Sequence, residues 1–406
     1  MLDAKTVDIV KQSAPILEEH SREIGTRFYE KLFSTAPELY NIFNQTNQRL
    51  GIQQSALAYS VYKAGENIDQ LENIEEMIER VTEKHRALGV KPEQYPLVGE
   101  TLLEAVKDIL GDSIDKQTMS AWEEAYQAIA NAFIDIESGL YKKVEEQPGG
   151  WNGVRSFYVD KKVKESDVIT SFYLKPEDGK EIMVYKPGQY LTFQVEIEGD
   201  NYTHMRHYSL SDSPGKDYYR ISVKREDGHE EVPPGVVSNY LHREINEGDL
   251  LNIAAPAGDF TIVTEEMPIV LISGGVGLTP MISMLNTLVK DEPGREITFI
   301  HAAEKGKVHA MSAHVKELAA TYENVHSYVC YSNPSDEDLL EDDYDKKGFI
   351  DLEWLQTILG DNKKDFYFCG PIPFMKTINE ALKQWEVPEE HRHYEVFSPV
   401  SKIENA

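Results

Sequence analysis

Cysteine is almost missing from this 406-residue chain: Cys330 and Cys369 are the only two, far apart and in apolar runs. No Cys-x-x-Cys pair and no Cys/His cluster occurs, so ligand spacing supports neither an iron–sulfur site nor a structural zinc. One disulfide at most is open to the chain, and such low cysteine usage suits a reducing cytoplasm. No apolar run is long enough to span a bilayer, and Met1-Leu2-Asp3-Ala4-Lys5 lacks the apolar segment of a secretory signal. Positive charge is scarce too: 41 basic against 70 acidic residues give a formal net charge of -29. That balance repels nucleic acid and anionic membrane surfaces, while leaving room for a local basic cofactor pocket. The composition predicts a soluble, cytoplasmic protein that binds no nucleic acid and has no transmembrane segment.

Apolar material, by contrast, is ample. With 41% hydrophobic and 10% aromatic residues the chain can build real cores, and its length suits two or three domains. Residues 3–143 read as helices: Ile74, Ile78, Val81 and His85 recur at helical spacing, as do Tyr126, Ile129, Phe133, Glu137 and Leu140. Gln147-Pro148-Gly149-Gly150 breaks the pattern as a linker. Short β-rich runs follow (Thr170 to Leu174, Tyr190 to Val195, Tyr218 to Val223, Leu250 to Ile253), separated by turn signals such as Lys186-Pro187-Gly188 and Ser213-Pro214-Gly215. Their regular spacing predicts a small antiparallel barrel. From Pro268 strands alternate with helices, which predicts a parallel sheet covered on both faces. The expected architecture is multidomain: an all-α domain over 1–146, an antiparallel β-barrel domain over 150–263 and an α/β parallel-sheet domain over 264–406. The acidic stretch from Pro334 to Asp345 reads as a solvated loop.

Three motifs in the second half carry chemistry. Ser273-Gly274-Gly275-Val276-Gly277-Leu278-Thr279-Pro280 is a glycine turn between a strand and a helix, where backbone N–H groups can approach a pyrophosphate. Standing alone it could equally be a tight turn, and no acidic residue marks the usual dinucleotide fingerprint on the next strand. Arg206-His207-Tyr208-Ser209 supplies a cation, an aromatic ring and a small hydroxyl, the three groups a flavin needs. Cys369-Gly370-Pro371 closes a further apolar strand. With Pro187-Gly188-Gln189-Tyr190 upstream and Val237-Ser238-Asn239-Tyr240-Leu241 downstream, their order resembles the ferredoxin-NADP reductase superfamily over residues 150–400. The resemblance implies that Arg206 binds an FAD phosphate with His207 beside it, that Tyr190 and Tyr208 contact the flavin, and that Ser209 lies near N5. It implies that Gly274, Gly275, Val276, Gly277, Leu278 and Thr279 hold the nicotinamide nucleotide, with Cys369, Gly370 and Pro371 placing the nicotinamide. Val396-Phe397-Ser398-Pro399 aligns with the family's terminal aromatic segment, although the family usually has glycine where Ser398 stands.

In the helical half, His85 extends an apolar stripe, so its ring points inward; a lone inward histidine is commonly a core residue. Phe43 lies in a turn-like stretch, Gln53 and Leu57 share a helix face, and Tyr29 lies on the apolar face with Phe28, Leu32 and Phe33. Gly25, one turn before Tyr29, permits a close helix crossing. The set Tyr29, Phe43, Gln53, Leu57 and His85 resembles the haem pocket of a bacterial globin, and with the reductase motifs behind it the chain resembles a flavohaemoglobin almost throughout, including Asn44-Gln45-Thr46-Asn47-Gln48. The resemblance implies haem b ligated by His85, a His85–Tyr95–Glu137 hydrogen-bond relay, and Lys84 near a haem propionate, with a solvated surface lysine as the rival reading.

Those cofactors, haem b, FAD and NADH or NADPH, imply a nitric oxide dioxygenase in which NAD(P)H reduces FAD, FAD reduces the iron, and O2 oxidises NO to nitrate. Tyr29, Gln53 and Leu57 would act on the distal side. An oxygen or NO sensor or carrier with a self-reducing module, and a general flavin reductase, are the alternatives. A monomer acting on small molecules, with no protein partner, is expected.

Overall fold

The structure, a computed structural model, describes residues 2–43, 48, 52–228, 233–263 and 267–397. They form two compact units, residues 1–153 with 194–206, and residues 154–193 with 207–397.

The first unit is helical: α1 (Ala4–Glu19), α2 (Ser21–Thr35), α3 (Ile52–Glu66), α4 (Glu75–Leu88), α5 (Tyr95–Leu110) and α6 (Lys116–Glu145). Asp3 and Asp115 accept from the backbone N–H groups of Thr6 and Thr118, capping α1 and α6. Gly89, at φ 74°, ends α4 in the left-handed conformation that glycine tolerates best. Val10, Ala14 and Leu17 recur at helical spacing on α1 and share a buried core with Phe28 and Leu32 of α2, Leu102 and Val106 of α5, and Trp122 of α6. Gly25 permits the close crossing the sequence suggests: a Cβ there would lie 2.7 Å from the backbone oxygen of Gln54 on α3.

The second unit begins with β1 (Val154–Lys164), β2 (Ile169–Pro176), β3 (Tyr190–Val195), β4 (His204–Ser209), β5 (Tyr219–Lys224), α7 (Val236–Arg243) and β6 (Leu250–Ala257). The strands form one sheet in the order β4-β3-β6-β1-β2-β5, and an antiparallel bridge from Leu210 to Ile221 brings its ends together. Phe157, Phe172, Leu174, Phe193 and Ile221 fill its interior. The sequence reading passed over β1. Its burial does not alternate cleanly, and its register with β2 shifts between Val159 and Lys161, so a β-bulge breaks the period of two.

The remainder is a parallel sheet: β7 (Ile269–Gly274), β8 (Ile297–Ala303), β9 (Val325–Tyr331), β10 (Lys346–Lys347), β11 (Asp365–Cys369) and β12 (Arg392–Glu395), in the order β10-β9-β8-β7-β11-β12. Helices α8 (Leu278–Asp291), α9 (Ser312–Thr321), α10 (Leu352–Leu359) and α11 (Ile372–Gln384) connect them. On β7, Ile269 and Leu271 pack with Met281 and Leu285 of α8, whereas Val270 and Ile272 pack with Leu355 of α10 and Ile378 of α11. Burial on both faces explains the unbroken apolar run of this strand. The chain leaves β7 toward β8 on one side, and β11 returns on the other, which makes the β7/β11 boundary the point where strand order reverses. Among the described residues no helix is long and apolar enough to cross a membrane.

Candidate functional site

His85 lies in the last turn of α4, where its side chain is 31% exposed while the side chain of Glu137 on α6 is 3% exposed. The Nδ1 atom of His85 is 2.7 Å from Glu137 Oε1 and 3.2 Å from the hydroxyl of Tyr95, the first residue of α5. Tyr95 donates to the same Oε1 atom at 2.6 Å. Burial, then the bond to Glu137, raises the Tyr95 phenol far above its ordinary pKa, so it stays a donor. A carboxylate accepting from Tyr95 can only accept from the imidazole as well, which places the proton on Nδ1 and leaves the Nε2 lone pair for a metal. Tyr126 holds this arrangement from behind by donating to the backbone oxygen of Tyr95 at 2.7 Å. The three residues expected to form a relay are therefore brought together.

On α2, Tyr29 is 4% exposed. Burial pushes its phenol well above the ordinary value, against the opposing effect of hydrogen bonds with the side chains of Gln53 and Gln48. Its ring packs on Phe33 and edge-on against Phe43, with centroids 5.6 and 5.4 Å apart. Leu57 packs half-buried against the same core. The sequence reading named Gln48 only as the end of the Asn44–Gln48 stretch and gave it no role; its backbone and side-chain oxygens also accept from Gln54 Nε2, at 3.0 and 3.2 Å. An apolar cavity of about 80 Å³, lined among others by Val61, Leu102, Val106, Trp122 and Phe133, runs through this core. The Phe133 ring lies 6.3 Å from that of His85. A histidine with one nitrogen anchored and one unspent, near an apolar hollow in a helical unit that also buries a phenol, fits a flat apolar macrocycle carrying iron. Lys84, next to His85, is half-buried. Asn44 to Asn47 lie outside the described residues.

On β4, alternation puts Arg206 and Tyr208 on one face and His207 and Ser209 on the other. Tyr190 is buried with its ring 4.7 Å from that of His207, and His207 Nδ1 pairs with Thr192 Oγ1 at 2.7 Å. Tyr208 meets Phe193 edge-on at 5.4 Å, and Ser209 is 7% exposed at the strand end. Helix α7 begins at Val236 directly after Gly235, so the N–H groups of its first turn are available to an anion. A cation and an aromatic ring on one face of this strand, with a small hydroxyl at its end, suit a flavin nucleotide.

The glycine turn and the Cys369 segment meet at the strand-order reversal. Ser273 and Cys369 are register partners across β7 and β11. Gly274 ends β7, Gly275 takes φ 55°, and α8 starts at Leu278, with Thr279 Oγ1 donating to the Val276 oxygen at 3.0 Å. A Cβ on Gly277 would strike the Cys369 backbone, and one on Gly370 would lie 3.2 Å from the Cα of Gly274. Only glycine lets these two turns approach so closely, and the crevice at the carboxyl ends of parallel strands is where such sheets bind nucleotides. Pro371 caps α11. Val396 is buried and Phe397 exposed; Ser398 and Pro399 lie outside the described residues. Cys330 and Cys369 are both buried free thiols. Burial pushes the Cys330 thiol up to about 11 and raises Cys369 well above the ordinary thiol value.

A separate open cleft of about 690 Å³ lies by Lys162, Lys164, Arg225 and His242. Its cations are already engaged: Lys162 donates to the carbonyls of Leu241, His242 and Ile245, Lys164 pairs with Asp167, and Arg225 pairs with Asp227. It therefore offers an anion little free charge.

Comparison with known proteins divides the chain the same way. A globin model matches residues 26–133, an oxidoreductase FAD-binding domain model residues 156–262 and an oxidoreductase NAD-binding domain model residues 271–380. A Flavohemoprotein of Halalkalibacterium halodurans is 54% identical over 99% of this chain and 98% of its own length. The crystal structure of a flavohemoglobin from Malassezia yamatoensis with bound FAD and heme superposes with a TM-score of 0.84 at 25% identity, covering 98% of this chain and all of its own. The FAD/NAD-binding domain of a nitric oxide dioxygenase from Vibrio cholerae gives a TM-score of 0.54 at 38% identity, over 60% of this chain and 98% of its own. Full-length identity, three matched domains in order and a donor set that fits haem, FAD and a nicotinamide nucleotide lead to one conclusion: the chain belongs to the flavohaemoprotein family of oxidoreductases.

Proposed function

We propose that the chain is an NAD(P)H-dependent nitric oxide dioxygenase that converts NO and O2 to nitrate. The observation that carries the reading is the presence, within one helical unit, of a buried phenol and an imidazole backed by a buried carboxylate. When bound, haem supplies the oxygen-activating iron, while FAD takes two electrons together from a nicotinamide and releases them singly.

The chain's own residues set the conditions. Tyr29, held protonated by burial and oriented by Gln53 and Gln48, donates toward a polar diatomic ligand on the distal side. Leu57 and Phe43 close that side with apolar surface, which strengthens any hydrogen bond made there. Behind the imidazole, Glu137 holds the Nδ1 proton and Tyr95 fixes the carboxylate, so His85 becomes a stronger electron donor through Nε2. That push suits oxygen activation better than reversible storage. In the reductase, Arg206, Tyr208 and Tyr190 hold and orient the flavin, and Gly274 to Thr279 with Cys369 to Pro371 hold the nucleotide.

The test is anaerobic reduction with NADH followed by a pulse of O2 and NO, with the flavin and Soret bands recorded and nitrate assayed. Reduction of both cofactors, then one nitrate per NO, is the expected result. Nitrate formation surviving in His85→Ala would overturn the role given to the haem site; NADH-driven flavin turnover with no nitrate would overturn the proposal in favour of a flavin reductase, and stable oxygen binding with no nitrate would overturn it in favour of a carrier.

A further inference from the structure

Three residues beyond the Arg206–Ser209 strand, Asp212 is 4% exposed and every acceptor it has is in use. Its Oδ1 atom accepts from the Ser213 backbone at 2.8 Å and from Asn286 Nδ2 at 2.9 Å. Its Oδ2 atom accepts from Lys216 at 2.7 Å and from the Tyr218 hydroxyl at 2.9 Å, with the Arg220 guanidinium 3.8 Å away. Its backbone oxygen accepts from the hydroxyls of Tyr185 and, at 2.7 Å, Ser283. Burial alone would raise the pKa of this carboxyl, but Arg220 and Lys216 hold it below the ordinary range.

These partners come from two places. Tyr185, Lys216, Tyr218 and Arg220 belong to the FAD-binding segment, whereas Ser283 and Asn286 belong to α8, the helix that starts at the glycine turn. Asn286 is itself fixed by His314 of α9, whose Nε2 lies 2.7 Å from Asn286 Oδ1. Elsewhere along this seam the packing is apolar, with Phe260 in one buried cluster with Met281 and Met284. Apolar burial is non-directional and permits sliding, whereas hydrogen bonds to one carboxylate and its own carbonyl fix direction as well as distance. A buried carboxylate is also a poor way to gain stability alone.

We infer that Asp212 is a positioning residue which, through Ser283 and Asn286, sets the nucleotide-binding helix in register with the flavin-binding strand. The inference rests on the proposed transfer from NAD(P)H to FAD. With both cofactors bound, that transfer would pass a hydride, carrying both electrons of the broken nicotinamide C–H bond, to the flavin, oxidising the one and reducing the other. Asp212 would take no part in the bond changes; it would govern how closely the two rings approach.

The test uses the holoprotein carrying Ser283→Ala and Asn286→Ala together, which cuts both side-chain arms and leaves Asp212 with its barrel partners. Two quantities are measured: the anaerobic rate of flavin reduction at saturating NADH, and the long-wavelength charge-transfer absorption formed when NAD+ is added to dithionite-reduced protein. The expected result is flavin reduction slowed on the order of 10²-fold, as for a misplacement of about 1 Å, with a weakened charge-transfer band. FAD content and the half-saturating NADH concentration should move by no more than about twofold, the melting temperature should shift by no more than a few degrees, and Ser283→Thr, which keeps the hydroxyl, should behave as the parent. An unchanged rate and band would overturn the inference, as would slowing matched by loss of FAD or of thermal stability. Failure of the unsubstituted protein to pass electrons from NADH to FAD would instead defeat the functional reading on which the inference rests.

Discussion

Two donors converge on a single oxygen of Glu137, while its other oxygen, Oε2, is buried with no hydrogen-bond partner among the described residues. Glu137→Gln keeps the shape and the acceptor but removes the charge. Resonance Raman spectroscopy of the ferrous holoprotein should then show a weaker iron–histidine stretch, and nitrate turnover should fall by about 10–100-fold. On the proposed reading, Tyr29→Phe would remove a charge-assisted hydrogen bond to bound oxygen worth roughly 1.5–3 kcal/mol. Oxygen dissociation, followed by flash photolysis, should therefore quicken by about one to two decades; an unchanged rate would refute the distal role of Tyr29. Tyr29, His85 and Glu137 stood on apolar helix faces in the sequence, but their roles, and Tyr95 altogether, were legible only through the family resemblance. Gln48 was not, since it lies outside any periodic segment and meets Tyr29 only through the tertiary fold. Asp212 was hidden for a related reason: beside a Ser-Pro-Gly turn an aspartate reads as solvated, and nothing local shows that α8 will cover it.

Helix α2 carries Tyr29 and helix α3 carries Gln53 and Leu57, so the distance between these helices decides whether the distal residues meet. Gly25 controls that distance. Helix propensity would favour alanine at this position by about 1 kcal/mol, but the new Cβ would lie 2.7 Å from a backbone oxygen, which cannot rotate away as a side chain could. Overpacking of this kind costs about 1–3 kcal/mol. Gly25→Ala should therefore lower the thermal unfolding midpoint and, by shifting α3, speed oxygen loss as well. Among the strands, β2, β3, β5, β6 and β7 were readable from short apolar runs, whereas bulged and charged β1 was not. The glycine turn showed its chemical potential in the sequence but not its partner. Only the parallel pairing of β7 with β11 explains why Gly277 and Gly370 must both be glycine.

For the whole molecule, stability toward acid should be set partly by two histidines of the parallel-sheet segment. His301 and His309 stack with centroids 4.4 Å apart, anchored by Ser273 and Tyr331 respectively. Burial, reinforced by the neighbouring ring, lowers His301 well below its ordinary pKa, and burial pushes His309 down to about 4. The unfolded chain takes up protons near 6.5 that the folded rings refuse, so their contribution is complete above about 6.5 and is lost as pH falls toward about 4. The melting temperature, followed by flavin fluorescence, should drop across that window, and His309→Gln should flatten the slope. The order of helical, barrel and parallel-sheet segments was plain in the sequence because the hydrophobic period changes from one to the next. The partition of the protein into two compact units was not, because it assigns residues 194–206 to the helical unit. The two cysteines carry a consequence of their own. Nitrosating and oxidising species attack the thiolate, and with the Cys330 thiol near 11 only roughly one in ten thousand is ionised at neutral pH; burial raises Cys369 well above the ordinary thiol value too. On the proposed reading, a protein that handles nitric oxide and oxygen together offers them almost no thiolate to modify. Its working lifetime under nitrosative conditions should then be limited by loss of cofactor rather than by damage to its own thiols.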